Sequence, residues 1–216
     1  MLMKFEPKKR LTYYIIRPLL IILLPIFYNV RCYGRENVPK DKNFILAGNH
    51  IGNTDPAILV ALCPRVCHFM AKSEIFKNIF LAFFFRSMNA FPVKRGKKDG
   101  RAVEYAIKVI NKGYVLGIFP EGGTSRDRLP KRAKSGVAYI AMKTGADVLP
   151  VSIYITPGER RIRPRLTVRF GKIIKNEEFG FSEEYSLSHI RDGSKLIMDS
   201  IVELWNKKHE RDENDG

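Results

Sequence analysis

The fold is decided by the stretch Phe44-Ile45-Leu46-Ala47-Gly48-Asn49-His50-Ile51-Gly52-Asn53-Thr54-Asp55-Pro56, which continues into Ala57-Ile58-Leu59-Val60-Ala61-Leu62. The first four residues form an apolar run typical of a buried strand, and the run after Pro56 indicates a buried helix. His50 therefore lies in a turn at the carboxyl end of the strand. Because ligands bind at that end of the strands in open α/β sheets, the stretch also predicts a functional site.

His50 is suited to act as a general base, because imidazole titrates near neutral pH. Asp55 would orient the imidazole and stabilise its charged form. A second interpretation stays open at this point. Asp55 followed by Pro56 is a common helix start, in which the aspartate only caps the helix and the histidine belongs to an ordinary loop.

A second polar block is Phe119-Pro120-Glu121-Gly122-Gly123-Thr124-Ser125-Arg126, which directly follows the apolar run 114–118. Adjacent glycines allow the backbone to approach a ligand, Glu121 offers a fixed acceptor, and Arg126 offers a planar fork that suits phosphate. The alternative is a glycine-rich turn with a solvated arginine, since such turns are common.

Taken together, the blocks resemble those of the lysophosphatidic acid acyltransferase family of membrane-associated glycerolipid acyltransferases. His50 and Asp55 match the first signature of that family, a histidine, four residues and an aspartate. The later blocks resemble Ala90-Phe91-Pro92-Val93-Lys94-Arg95, Phe119 to Gly122, and Val148-Leu149-Pro150-Val151-Ser152, with a Lys-x-Gly element at Lys134-Ser135-Gly136. The resemblance covers residues 43–155 and keeps the order of the family's blocks.

One departure from the family concerns the arginine of the third block. The family commonly continues Phe-Pro-Glu-Gly with Thr-Arg-Ser, whereas this chain continues with Gly123-Thr124-Ser125-Arg126. Arg126 therefore stands two positions beyond the usual arginine, which makes it a weaker phosphate ligand. Glu121 is unaffected, because the residues around it match without a shift.

The resemblance implies transfer of an acyl chain from a thioester, acyl-CoA or acyl carrier protein, to the sn-2 hydroxyl of lysophosphatidic acid, giving phosphatidic acid. His50 would be the general base and Asp55 its orienting partner. The residues expected to bind substrate are Lys72, Arg95, Glu121, Gly122, Gly123 and Arg126. Neither a cofactor nor a metal is expected. Another acceptor within the same superfamily, glycerol 3-phosphate or a different lysolipid, is the alternative.

Composition limits the partners independently of the motifs. The 216 residues are 45% hydrophobic, enough for one domain with a substantial core. A formal charge of +16, from 38 basic and 22 acidic residues, requires an anionic partner such as a lipid surface or nucleic acid. No zinc-ligand spacing, RNA-binding block or basic region before heptads is present, so nucleic-acid binding is only a remote alternative.

The N-terminal stretch 11–30 is mostly apolar, with basic residues on both sides. Arg17 and Pro18 interrupt it, and the apolar part that follows, 19–28, contains Pro25. That part covers only about half of a hydrocarbon core roughly 30 Å thick. This pattern favours an interfacial or half-embedded helical anchor over a spanning helix. The basic flanks predict a position on the cytoplasmic face of the cell membrane.

The remaining pattern alternates strands and helices. Strands are expected at 148–155 and at 165–170, the latter an edge strand with one wet face, and helices at 101–112, 135–143 and 187–205. The aromatic segment 79–85 is expected to be core or a wall that faces an acyl chain. The chain is thus predicted to be α/β, with a largely parallel central sheet flanked by helices. Its parts would be a membrane-anchoring segment at 1–35, the acyltransferase domain at 36–206 and a charged tail at 207–216.

Overall fold

The computed structural model describes residues 7–94, 99–156, 163–181 and 187–210. Within these ranges one sheet is covered by α-helices on both faces. The strands are β1 (Asn29–Tyr33), β2 (Ile45–Gly48), β3 (Cys67–Lys72), β4 (Phe91–Val93), β5 (Val115–Ile118), β6 (Val148–Ile155) and β7 (Arg165–Phe170). The helices are α1 (Leu11–Phe27), α2 (Asp55–Leu62), α3 (Ile79–Ser87), α4 (Gly100–Asn111), α5 (Gly136–Thr144) and α6 (Leu187–Asn206).

The sheet has the strand order β1-β7-β6-β2-β5-β3-β4. All neighbouring strands are parallel except β6 and β7, which are antiparallel. Strand β2 lies in the middle, where Ala47 pairs with Pro150 on one side and Ile118 on the other. The carboxyl ends of β2, β3, β4, β5 and β6 therefore meet at one edge. The predicted α/β fold with a largely parallel central sheet is confirmed.

Continuous apolar runs explain why the central strands are covered on both faces. Every residue of β2 and of β5 is buried, as strands between two helical layers require. Their side chains alternate between the layers. Leu46 belongs to the core that includes α1 and α2, whereas Ile45 and Ala47 belong to the core formed with α4, α5 and α6. The stretch 44–62 thus organises both layers.

The helices expected from apolar spacing are present. Helices α4, α5 and α6 begin and end within one residue of the predicted bounds. Each has an apolar stripe that packs into the core on one face of the sheet. The 3.6-residue spacing of buried side chains was therefore a sufficient signal for these elements.

Strand β7 differs from the edge strand that its alternating apolar and basic residues predict. It lies between β1 and β6, and Leu166 to Phe170 are all buried. The Arg169 guanidinium carbon lies 4.1 Å from the centroid of the Tyr33 ring, and the same side chain donates to the Glu210 carbonyl. A cation–π contact and a main-chain acceptor thus replace the water that an edge position would have supplied.

The N-terminal segment supplies both helix α1 and strand β1, which is the edge strand next to β7. Helix α1 packs on α2 through Tyr13, which is 1% exposed. Arg17 donates to the Val60 and Cys63 carbonyls, with both distances at 3.1 Å. A cation at the carboxyl end of a helix is favourable, because the last carbonyls lack partners there. Arg17 therefore attaches α1 to the domain.

The outer face of α1 is apolar and exposed. Its exposed large apolar side chains are Leu11, Tyr14, Ile15, Leu19, Ile21, Ile22, Ile26 and Phe27. Helix α3 contacts α1 and exposes Ile79, Phe80, Leu81 and Phe83, so the expectation that the segment 79–85 is core fails for these four residues. In the part of the chain that the structure describes, no helix is both long and apolar enough to cross a membrane.

Candidate active site

The site is centred on a histidine–aspartate pair at the carboxyl edge of the sheet. The Nδ1 atom of His50 lies 2.8 Å from Oδ2 of Asp55, and both side chains are buried. The His50 ring is stacked on the ring of Phe119, with centroids 4.2 Å apart and an angle of 15° between the planes. Contacts on its edge and on its face thus fix the orientation of the imidazole.

The Asp55 carboxylate accepts hydrogen bonds from the turn before α2, not from the first turn of that helix. Its Oδ2 atom also accepts hydrogen bonds from the backbone N–H groups of Ile51, at 2.7 Å, and Gly52, at 2.9 Å. These amides precede α2, and no side chain caps the first turn of that helix. The helix-cap interpretation of Asp55 is therefore wrong. The carboxylate instead closes the turn that carries His50 and accepts from the imidazole.

This arrangement determines which ring nitrogen of His50 is available. A carboxylate at Nδ1 requires the proton on that nitrogen, so Nε2 carries the lone pair in the neutral imidazole. No hydrogen bond to Nε2 is made by any residue within the described ranges. The geometry therefore allows Nε2 to accept a proton from a hydroxyl group, with Asp55 stabilising the resulting imidazolium.

Glu121 supports the same turn from the neighbouring strand. Its Oε1 atom accepts from the backbone N–H of His50 at 3.1 Å, which is possible because β5 pairs directly with β2. The Glu121 side chain is buried, and this burial raises its pKa to about 7. Hydrogen bonds from backbone amides oppose the shift but do not cancel it. Glu121 therefore contacts the turn that carries His50.

We expect Glu121→Gln to change how stability depends on pH. The folded pKa of about 7 lies above the ordinary value of 4.5, so folding binds a proton between these values and stability falls as pH rises through the window. Glutamine does not titrate and keeps an oxygen for the His50 amide. Urea unfolding should show the variant gaining about 2–3 kcal/mol relative to the parent chain between pH 5 and pH 8. A difference that is independent of pH would contradict the assigned environment.

Gly122 occupies a backbone conformation that disfavours side chains. Its φ is +71°, and a Cβ at this position would lie 2.8 Å from Nζ of Lys134. The Lys134 backbone N–H also donates to the Pro120 carbonyl at 2.8 Å. The lysine of the Lys-x-Gly element is thus folded over the Glu121–Gly122 turn, which places a cation beside the site.

Gly122→Ala should lower the free energy of unfolding by about 1–2 kcal/mol, because alanine is strained at positive φ. It should also displace the Lys134 side chain. Gly136→Ala is the matched control, since nothing lies within 4 Å of a Cβ there and its φ is not in the left-handed region. Urea denaturation of both variants checks this expectation. Equal stability changes at the two positions would contradict it.

Three residues near the site have contacts that the sequence did not predict. Asn49 donates to the Ile153 carbonyl at 2.9 Å and accepts from the Ile153 N–H at 2.8 Å, which ties β2 to β6 just before His50. The Ser125 N–H donates to the His50 carbonyl at 2.8 Å. The third is Phe119, whose ring stacks on His50. Of these three residues, only Asn49 could have been recognised in the sequence, as an asparagine at the end of a buried strand.

Asn49→Ala should cost about 2–4 kcal/mol of stability, because it leaves a buried N–H and a buried C=O of Ile153 unpaired. Asn53→Ala is the control, since Asn53 is exposed in the same turn. Chemical denaturation of both variants measures the difference. A loss at Asn49 that is no larger than the loss at Asn53 would show that the two hydrogen bonds contribute little.

The other predicted binding residues are spread along the same edge. Lys72 ends β3, about 10 Å and two strands from β2, and its half-exposed amine lies 3.8 Å from Glu74. Gly123 continues the loop after Gly122, and the Arg126 side chain is exposed on that loop. Arg95 lies outside the described residues, two positions after β4 ends. Direct hydrogen bonds thus unite His50, Asp55 and Glu121, but not Lys72 or Arg126.

A solved structure shares this architecture. The crystal structure of the 1-acyl-sn-glycerophosphate (LPA) acyltransferase PlsC from Thermotoga maritima matches with a TM-score of 0.72 and 25% sequence identity. The match covers 93% of this chain and 81% of that chain. The similarity therefore extends over nearly the whole fold described above.

Curated relatives share the sequence more closely. Each of the following is named 1-acyl-sn-glycerol-3-phosphate acyltransferase. The Bacillus subtilis protein is 33% identical over 132 residues, which are 61% of this chain and 65% of the relative. The Borreliella burgdorferi protein is 38% identical over 127 residues, 57% and 50% of the two chains. The Streptococcus pneumoniae protein is 31% identical over 172 residues, 76% and 63% of the two chains.

The chain thus spans about half to two thirds of the length of these relatives. The family model described as Acyltransferase matches residues 29–154, a region that contains the whole histidine–aspartate turn and its partners on β5 and β6. This match covers more than half of the chain, and it agrees with the resemblance carried by the His50 and Glu121 blocks. The chain belongs to the acyltransferase family.

Proposed function

We propose that this chain transfers an acyl group from a thioester donor to the sn-2 hydroxyl of lysophosphatidic acid and so forms phosphatidic acid. The observation that carries the proposal is the buried pair of His50 and Asp55, 2.8 Å apart, with Nε2 left for a substrate. The names of the relatives and of the solved structure support the choice of acceptor. The enzyme is accordingly an O-acyltransferase of phospholipid synthesis.

The reaction needs no enzyme nucleophile. Nε2 of His50 removes the proton of the acceptor hydroxyl as that oxygen attacks the thioester carbonyl, and a tetrahedral intermediate forms. When the intermediate collapses, the new C–O bond remains, the C–S bond breaks, and the thiolate takes the proton from the imidazolium. Asp55 stabilises the imidazolium between these steps.

The oxyanion of the intermediate needs backbone donors that have no other partner. The amides of Ile51 and Gly52 are bonded to Asp55, and the amide of Gly122 donates to the Phe119 carbonyl. The structure assigns no acceptor to the Gly123 amide among the described residues. We therefore favour Gly123 over the His50 turn as a donor to the oxyanion.

Cations at the carboxyl edge would hold the phosphate of the acceptor. Lys72 and Arg95 are the candidates from the motifs, and Lys134 is added by its position over Gly122. Arg126 is exposed on the same loop and ranks behind them. Glu121 would bind the glycerol end, since its second oxygen has no partner among the described residues. Phosphate favours such a cluster because each cation adds a charge-assisted hydrogen bond.

The donor is acyl-CoA or an acyl carrier protein, and both suit the charge of the chain. Coenzyme A carries phosphates, carrier proteins are acidic, and this chain has a formal charge of +16. The exposed apolar faces of α1 and α3 would rest on the cytoplasmic face of the cell membrane, where lysophosphatidic acid resides. An apolar surface of this kind is typical of membrane contact.

Product analysis tests the choice of acceptor. The purified chain is incubated with palmitoyl-CoA or palmitoyl carrier protein and, in separate reactions, with lysophosphatidic acid, glycerol 3-phosphate or lysophosphatidylcholine. Mass spectrometry should find phosphatidic acid as the main product. Acylation of glycerol 3-phosphate at a higher kcat/KM would replace the proposed acceptor while leaving the chemistry of His50 intact.

A further inference from the structure

A cavity lies at the edge of the sheet opposite to His50. It has a volume of about 360 Å³ and adjoins the amino-terminal ends of β3 and β5, where Val66 and Tyr114 precede the two strands. Lys9, Arg65 and Lys112 contribute the polar part of its lining. Because it lies at the other end of the strands, this cavity has no part in the acyl-transfer site.

The cavity collects positive charge. Lys9, Arg65 and Lys112 all line it, and Arg10 lies close enough for its charge to act on His68, which is stacked on the lining residue Tyr114. No carboxylate within the described ranges lies within 4.0 Å of a side-chain nitrogen of Lys9 or Arg65. Converging like charges repel one another unless an anion lies between them. The cavity therefore favours an anionic ligand.

Two hydrogen bonds fix the Arg65 side chain at the cavity. Its Nη1 atom donates to the Pro39 carbonyl at 2.6 Å and to the Lys42 carbonyl at 3.0 Å. These bonds fix the guanidinium plane and leave Nη2 and Nε for another acceptor. A planar fork that is fixed in advance is well suited to two oxygens of a phosphate, since little side-chain entropy remains to be lost.

Tyr114 contributes an aromatic ring to the lining of the cavity. The Tyr114 ring is stacked on His68, with centroids 5.0 Å apart, and Nζ of Lys9 lies 6.0 Å from the Tyr114 centroid. His68 is 1% exposed, and neither ring nitrogen has a partner among the described residues. Burial, with a smaller contribution from Arg10, lowers the pKa of His68 to about 4, so it is neutral near pH 7. His68, behind Tyr114, thus adds no further charge near the cavity.

The position of the cavity identifies the source of the anion. Lys9 and Arg10 directly precede α1, and the first exposed apolar side chains of that helix are Leu11, Tyr14 and Ile15, which are 79%, 53% and 66% exposed. A basic pocket thus adjoins an apolar helix face. The pocket suits the charged headgroup of a lipid, and the helix face suits its acyl chains. We propose that this cavity binds the phosphate of an anionic phospholipid whose acyl chains lie along α1.

Short-chain lipids test this site in solution. The full chain, labelled with ¹⁵N, is titrated with monomeric dihexanoylphosphatidylglycerol, with dihexanoylphosphatidylcholine and with inorganic phosphate. The anionic lipid should shift the amide resonances of Gly113 and Tyr114 with saturation, and the other two probes should bind at least about tenfold more weakly. Resonances of Gly123 report separately on the acyl-transfer site, so failure of one site is distinguishable from failure of the other.

Two variants decide whether the cavity or diffuse charge binds the lipid. Lys9→Gln should weaken the titration about tenfold, because it removes a charge-assisted contact. Lys8→Gln removes the same charge at an exposed neighbour that does not line the cavity, and should weaken the titration less than about twofold. Equal effects of the two variants, no shift at Gly113 and Tyr114, or equal affinity for inorganic phosphate would each overturn the proposal.

Discussion

Replacing His50 with alanine should lower kcat/KM about 10²- to 10⁴-fold while the chain stays folded. Among the described residues at the centre of the site, only the His50 imidazole has a free ring nitrogen for the acceptor hydroxyl. A positioned general base contributes about this much to a rate. The fold should survive, because the buried strands and helices around the turn do not depend on the ring. Initial rates with palmitoyl-CoA and lysophosphatidic acid measure the loss.

His209→Ala is the matched control for this variant. His209 is exposed near the carboxyl end of the described chain, where its ring contacts Tyr154, far along the chain from the site. Its activity should stay within about twofold of the parent chain, as expected for a surface substitution. Circular dichroism and the unfolding midpoint establish that both variants are folded. Retention of more than a tenth of the parent activity by His50→Ala would show that His50 is not the base.

Replacing Asp55 with asparagine should reduce kcat on the order of 10³- to 10⁴-fold, with a smaller effect on KM. Oδ2 of Asp55 accepts from His50, Ile51 and Gly52 at once. An amide keeps the shape of the carboxylate but loses its charge, so it can neither stabilise the imidazolium nor hold the ring tautomer. Steady-state kinetics over a range of acceptor concentrations separates the two parameters.

The free energy of unfolding of Asp55→Asn shows whether Asp55 orients the His50 ring or only stabilises the turn. The free energy of unfolding should fall by about 1–3 kcal/mol, because a buried acceptor of three hydrogen bonds is replaced by a group with one oxygen. Urea unfolding provides this number. A variant that loses this stability but keeps kcat within tenfold of the parent chain would mean that Asp55 serves only the turn.

The central part of the fold and of the site could be predicted because the signals are local. His50 and Asp55 lie within six residues of each other, between a buried strand and a buried helix. Glu121 follows a second apolar run, and parallel strands bring both ends to one edge. The structure then adds the bond from the His50 amide to Glu121 at 3.1 Å, which a list of motifs does not contain.

Contacts between distant parts of the chain could not be predicted in the same way. Asn49 bonds to Ile153, 104 positions away, and no spacing in the sequence encodes that pairing. The alternating sequence of β7 predicts an edge strand, because it does not reveal Tyr33 and Glu210, the partners from other parts of the chain that allow Arg169 to be buried. The packing of α1 on α2 through Arg17 could not be predicted either, because a lone arginine in an apolar stretch does not specify its acceptors.

Acceptor-dependent thiol release tests the central claim most directly. Release of coenzyme A from palmitoyl-CoA, or of carrier-protein thiol from palmitoyl carrier protein, is measured with and without lysophosphatidic acid in matched detergent for the parent chain and for His50→Ala. The proposed chemistry predicts release that requires lysophosphatidic acid, falls at least about 10²-fold in the variant and yields phosphatidic acid. Folded parent protein that releases no thiol on addition of lysophosphatidic acid, with either donor, would contradict the claim.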